Sequence, residues 1–258
     1  MLSPPDFLYW LHPAPLVAAI IITVAAVACA IYCMLLLPPV RRASAGLGKI
    51  NTAVGSISGG VFGISMGFLS HSVYHMEDRA RDAVNAEARA LHEMDTTLSA
   101  MSAPQRDGLV RLVARYREAV VAEWPEMSKD SSKCEQPLRD IYVAIINGPT
   151  EAHKDRVQQD RLLSEFDNLS RARQERLSIA QDRVSGGQWA LVMGLSITLL
   201  LVVAMSHADF RIAARVSLGA ITTAVSLLLF VIILHDRPFV GYGALGPEPI
   251  VSPSGVRP

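Results

Sequence analysis

Charge is missing from most of the apolar sequence. Residues 16–37, 53–73 and 187–206 hold no Lys, Arg, Asp or Glu, and residues 212–234 hold one, Arg215. A bilayer core is crossed by about 20 apolar residues in a helix, so each stretch is long enough to span. Arg215 lies one turn inside its stretch, where a long side chain reaches the headgroups. Cysteine is scarce too. Cys29 and Cys33 sit one turn apart within the first stretch and Cys134 stands alone, which leaves no disulfide framework and no cysteine-based zinc site. A basic leader is lacking: Met1 to Pro15 carries no Lys or Arg, and the apolar run that follows outlasts the core of a signal peptide. The first stretch is therefore expected to be a retained helix, with Tyr9 and Trp10 as interfacial anchors and Pro38-Pro39 as its stop. No phosphate-cradling glycine loop, G-x-S-x-G elbow or H-E-x-x-H pair occurs, so no enzyme and no cofactor are expected.

What is present lies between the two apolar pairs. Glu77 to Arg183 holds 17 of the 24 Lys/Arg and 20 of the 24 Asp/Glu. Its net charge of −3 provides no basic patch for nucleic acid. The expected fold is an all-α membrane protein: four transmembrane helices in two pairs with an intervening helical extramembrane domain. Residues 1–74 hold a tail and the first pair (16–37, 53–73), and 75–185 form the charged domain. The second pair (187–206, 212–234) lies in 186–235, and 236–258 are a C-terminal tail. The second span has no breaker before about Ala100, and Ser102 to Gln105 resembles a capping box for a helix ending at Glu123-Trp124-Pro125. A shorter helix over 138–146 follows. Asn147-Gly148-Pro149-Thr150 then stops it, with Gly148 suited to the left-handed C′ position and Thr150 to an N-cap, before a last helix over 151–183 that is expected to be continuous with the third span. Glu87, Glu93, Glu118 and Glu123 read as surface residues of these helices.

Orientation is expected from Lys/Arg in the short loops. Arg41, Arg42 and Lys49 follow the first span and Arg211 and Arg215 the third, against none in the N-terminal tail and Arg237 and Arg257 in the C-terminal tail, which places those loops in the cytoplasm and both termini and the charged domain outside.

Four side-chain patterns stand out. Gly55, Gly59, Gly63 and Gly67 recur every four residues in the second span, a spacing that lets helices approach closely in lipid. Asn51, Ser58, Ser65 and Ser72 form a polar stripe on another side, and Arg215, Gly219, Thr222 and Ser226 a row in the fourth span. Ser58, Ser65, Arg215 and Thr222 are accordingly the expected lining of a conduit, with Arg215 attracting small anions. The competing reading is helix packing and a snorkelling arginine. His71, His75 and Asp78 share a helix face, but no fourth ligand accompanies them, and no metal is expected.

Several short marks carry a resemblance. They are Glu87-Ala88, Tyr116 with Glu123-Trp124-Pro125, Arg173 with Arg176-Leu177 before Trp189, and Asp236-Arg237-Pro238-Phe239-Val240-Gly241. In their order and spacing against the four spans, the chain resembles the bestrophin-like bacterial membrane family catalogued as domain of unknown function 4239. That family has no assigned activity. Its name reflects bestrophins, pentameric anion channels with four spans per subunit. The resemblance implies a two-plus-two helical membrane protein with the helical domain between the pairs; a homo-oligomer of the bacterial plasma membrane, with the lipid bilayer and a small anion as partners, is the wider expectation. The resemblance also implies a cytoplasmic domain, against the loop charges. The sequence departs from bestrophins in its Gly/Ser-rich second span, where they supply an aromatic and aliphatic neck, and in lacking an acidic cluster like a calcium clasp. An oligomeric anion conduit is the leading expectation; a non-conducting scaffold or sensor whose helical domain binds a partner is the alternative.

Overall fold

The computed structural model describes residues 8–9, 11–37, 40, 48–129, 132–148, 153–182, 184–207 and 210–252, without the side chains of 48–52, 103–105 and 153–155. Trp10, Pro38, Pro39, Arg41, Arg42, Pro149 and Thr150, and the side chains of Lys49 and Asn51, lie outside the described set. The described elements are all helical: α1 (Pro13–Leu35), α2 (Gly48–Ser99), α3 (Ala103–Glu123), a 3-10 turn (Trp124–Glu126), α4 (Glu135–Ile146), α5 (His153–Gln181), α6 (Gly186–Ser206), α7 (Arg211–His235) and α8 (Glu248–Val251). Four of them, α1, α2, α6 and α7, are long and apolar enough to cross a membrane. The chain divides into two compact units, Met1–His75 with Val184–Arg237, and Met76–Arg183 with Pro238–Pro258.

In the first unit α1 packs on α7 and α6, and α6 on α7. Each helix buries one stripe at i, i+3/i+4 spacing: Leu16, Ile20, Val24, Ala28, Ile31 and Leu35 on α1, and Phe62, Met66, Leu69 and Val73 on α2. A buried carboxylate ties this unit together at one end. Asp236 accepts the Val184 backbone N–H at 3.1 Å and the Tyr9 hydroxyl at 2.5 Å, and the Arg237 guanidinium lies 4.1 Å over the Tyr9 ring.

In the second unit α3 packs on α4, α4 on α5 and α8 on α3. The core gathers Leu91, Met94 and Leu98 of α2, Val113 and Val120 of α3, Ile141 and Ile145 of α4, and Leu162 and Leu169 of α5. Each such side chain contributes about 1.5–3 kcal/mol on burial.

Three expectations are corrected at helix ends. Ser102 is the N-cap of α3, but its side chain makes no capping bond. The capping box that does form is Ser185/Gln188: the Gln188 backbone N–H donates to Ser185 Oγ at 3.2 Å, and Gln188 Oε1 accepts the Ser185 N–H at 2.9 Å. With both groups satisfied, α6 starts afresh instead of continuing α5, whose last residue is Gln181. Gly148 does not turn left-handed; among the described residues Gly241 (φ 95°) and Gly243 (φ 81°) do so.

Candidate functional site

Four charged side chains meet in the interior of the second unit. α2 supplies Glu87 from a stripe otherwise made of Ala80, Ala83, Val84, Ala90, Leu91 and Met94. α3 supplies Tyr116 and, at its last residue, Glu123. α5 supplies Arg173 and Arg176, three residues apart and so on one face. Glu87, Glu123, Tyr116 and Arg176 have no exposed surface, and Arg173 keeps 7%.

The geometry centres on Arg176. Its Nε donates to Glu87 Oε2 at 2.7 Å and its Nη2 to Glu87 Oε1 at 3.2 Å, a two-point pairing that fits the flat guanidinium. Its Nη1 reaches Met127 Sδ at 3.1 Å, and its Cζ sits 4.9 Å from the centre of the Trp124 ring. The Tyr116 hydroxyl donates to Glu87 Oε1 at 2.7 Å. Arg173 Nη2 and the Cys134 backbone N–H both donate to Glu123 Oε2, at 3.0 and 3.1 Å. Glu123 Oε1 has no hydrogen-bond donor, with Arg176 Nη2 3.7 Å away. Two carboxylates and two guanidiniums leave this interior neutral, the condition under which buried charge is tolerated.

Electrostatics follow from that neutrality. Burial is the largest single influence on Arg176 and opposes its charge, but the charge and hydrogen bonds of Glu87, with Tyr116 and Glu123, together outweigh it and hold the guanidinium above its usual range. Burial, then the charge of Glu87, pushes the Tyr116 hydroxyl well above 10.0, so it stays a donor. Burial, then Glu123, pushes the Cys134 thiol up to about 12. A thiol so held has almost no thiolate and is a poor nucleophile.

The C-terminal segment closes on the same residues. The Trp124 indole N–H donates to the Leu245 carbonyl at 2.9 Å, and Phe239 meets the ring edge-on at 5.6 Å. Trp124 therefore stands between Arg176 and Phe239. Leu245 N–H donates to the Pro238 carbonyl at 2.8 Å, closing a loop that holds Gly241 and Gly243. Arg117 joins the Ile250 carbonyl at 3.2 Å to Asp95 at 2.5 Å. Glu87, Glu123, Trp124, Arg176 and Phe239, spread over some 150 residues of sequence, thus converge; Pro125 shapes the turn after Trp124, and Pro238 and Gly241 shape the loop.

The reading of Glu87 and Glu123 as surface residues is overturned by their burial, whereas Glu93 pairs with Arg161 at an exposed position and Glu118 is exposed. The signal was available: Glu87 falls on the i, i+3/i+4 stripe of small and apolar residues, the face that goes inside. Arg173 and Arg176 continue the stripe of Leu162 and Leu169 in the same way.

The conduit residues lie in the first unit. A Cβ on Gly55 would meet Val202 Cγ1 at 3.3 Å and one on Gly59 Leu199 Cδ1 at 4.0 Å, so these two pack on α6; around Gly60, Gly63 and Gly67 nothing lies within 4 Å. Ser58 and Ser65 are half-buried on the stripe of Phe62 and Met66. Arg215 is exposed and its Nε donates to the Tyr32 hydroxyl of α1 at 3.3 Å, while Thr222 is buried. Beside the glycines an apolar row, Ile57, Val61, Ile64 and Phe68, stands 46–73% exposed. An aliphatic and aromatic face is therefore present on α2, interleaved with the small one. His71, His75 and Asp78 are exposed, and among the described residues no three His, Cys, Asp or Glu side chains gather to hold a metal.

No curated protein and no solved structure matches this chain. A family model described as the Bestrophin-like domain matches residues 20–250, which takes in most of α1, all of α2, α6 and α7, and the buried charge network. The chain belongs to the Bestrophin-like domain family, as a multi-pass membrane protein.

Proposed function

We propose that the protein is an oligomeric anion conduit in a bacterial plasma membrane, with α2 as the helix nearest the axis. The observation that carries this reading is the uncovered face of α2. Of its most apolar window 17% is buried inside the chain, against 39% for α6 and for α7. That face bears two rows with one spacing: Ser56, Gly60, Gly63, Gly67 and Ile57, Val61, Ile64, Phe68. One row is a groove and the other a ridge. Offset by one residue, they point about 100° apart. A ridge entering the groove of the next copy is a head-to-tail contact, and such contacts form a ring where the rotation between copies closes. Neighbours met at about 100° correspond to a ring of four or five, since the interior angle of a square is 90° and of a pentagon 108°. Small residues at the contact supply the close packing that holds helices together in lipid. The facing edges of the two rows, Ile57, Gly60 and Ile64, would line the axis, an apolar constriction of the kind that gates by dewetting. Ser58 and Ser65, turned towards the subunit's own core, leave the lining to them.

The test is anion flux in liposomes together with the symmetry of the purified assembly. Flux from a four- or five-fold ring supports the reading. Intact oligomers that pass no anion under any condition sink it and favour the scaffold, whose own support is a groove of about 990 Å³ between α3 and α4 lined by Leu112, Arg111, Arg115 and Ala144.

A further inference from the structure

His71 and His75 stand on the uncovered side of α2, both exposed, with ring centroids 6.2 Å apart and planes at 61°. Residues i and i+4 of a helix are neighbours on one face, so the two imidazoles address one point beside the helix. We propose that His71 and His75 form a two-nitrogen clamp for a divalent transition-metal ion of the zinc, nickel or copper class. Imidazole nitrogens bind zinc at about 2.0–2.1 Å, and two rings on one tetrahedral ion place their centroids about 5 Å apart. The observed 6.2 Å closes to that value by small side-chain rotations, with no change of backbone. Imidazole pairs select zinc, copper and nickel over magnesium and calcium, which take oxygen ligands. The remaining positions on the ion go to water, because no third histidine, cysteine or carboxylate among the described residues gathers with the pair. The clamp lies at the end of the apolar stretch 53–73, and its geometry comes from α2 alone, so it does not depend on the conduit reading.

The experiment titrates tag-free full-length protein in detergent with Ni²⁺ and Zn²⁺ by calorimetry, and with Cu²⁺ by its visible absorption, which shifts on nitrogen ligation. Saturable binding is expected, weakened at least about tenfold by either H71Q or H75Q and unchanged by H92Q, which alters another exposed histidine of α2. Circular dichroism and gel filtration establish that the variants fold. Equal binding by the wild type and the H71Q/H75Q double variant overturns the clamp. A second readout is flux in liposomes with added Zn²⁺, expected to fall in the wild type and not in the double variant. A protein that conducts nothing refutes the conduit and leaves the clamp to be decided by the titration.

Discussion

At the residue scale, Glu87 and Arg176 define the cost of disturbing the second unit. Each has no exposed surface, and each is the other's main partner. Glu87→Ala leaves the buried Arg176 guanidinium without its two-point partner and the interior with one excess positive charge, a loss of about 3–5 kcal/mol. Glu87→Ala with Arg176→Met removes both charges and is expected to cost less than Glu87→Ala alone. Thermal unfolding of the detergent-solubilised protein checks this, and a single variant as stable as the wild type would contradict the burial. Cys134 makes a pH prediction. Its thiol ionises at about 12 when folded against an ordinary 9.0 when unfolded. The unfolded chain therefore releases this proton first as pH rises, so Cys134 lowers stability progressively from pH 9.0 up to about 12 and has no effect below 9.0. Cys134→Ala should flatten the decline by one proton, about 1.4 kcal/mol per pH unit, and Tyr116→Phe should remove a further contribution, since Tyr116 is also raised. A decline equally steep in Cys134→Ala and in the wild type would show that the thiol is not held as described.

At the element scale, α2 separates two roles that one glycine spacing hides. Gly55 already has Val202 at 3.3 Å from its ideal Cβ, whereas Gly63 has open space. Gly55→Leu overpacks the subunit, a cost of about 1–3 kcal/mol. Gly63→Leu is expected to leave subunit stability unchanged and to break the oligomer, because it fills the groove that receives the neighbour's ridge. Unfolding temperature and native mass spectrometry distinguish the two; an intact oligomer in Gly63→Leu would remove the groove from the interface. The same helix shows what could be read from sequence. Its length and apolar stretch were legible, because continuous hydrophobicity without a breaker has few structural outcomes. The inward turn of Ser58 and Ser65 was not, since a half-polar helix face carries no label saying whether its neighbour is lipid, another helix or another copy. The break before α6 was written in Ser185 and Gln188, and a capping box there outweighs the helical pattern on either side. The docking of Phe239 and Leu245 on Trp124 depends on positions more than 100 residues apart, and no local rule brings them together.

At the scale of the whole molecule, topology tests both the span count and the loop charges. With four crossings, the N-terminal tail, the charged domain and the C-terminal tail must share one side of the membrane, and the two short loops the other. Reporters fused after Pro258 and inserted beside Ser131 are therefore expected to agree with each other. Opposite readings would mean that either α6 or α7, the two apolar helices between the reporters, does not cross. Which side they agree on is a separate matter of charge. Arg41, Arg42 and Lys49 sit in one short loop and Arg211 in the other, while the residues before the first span carry no Lys or Arg. Loops of this length are the ones whose Lys/Arg content sets orientation, because long domains cross largely regardless of their charge. The expected result is that both reporters lie outside the cytoplasm. Agreement on the cytoplasmic side would keep the second pair of spans, overturn the charge argument and favour the bestrophin-like arrangement. In that case Arg79, Arg81 and Arg89, which follow the second span on the domain side, would be the positive residues that decided the orientation, and replacing all three with Gln should weaken it.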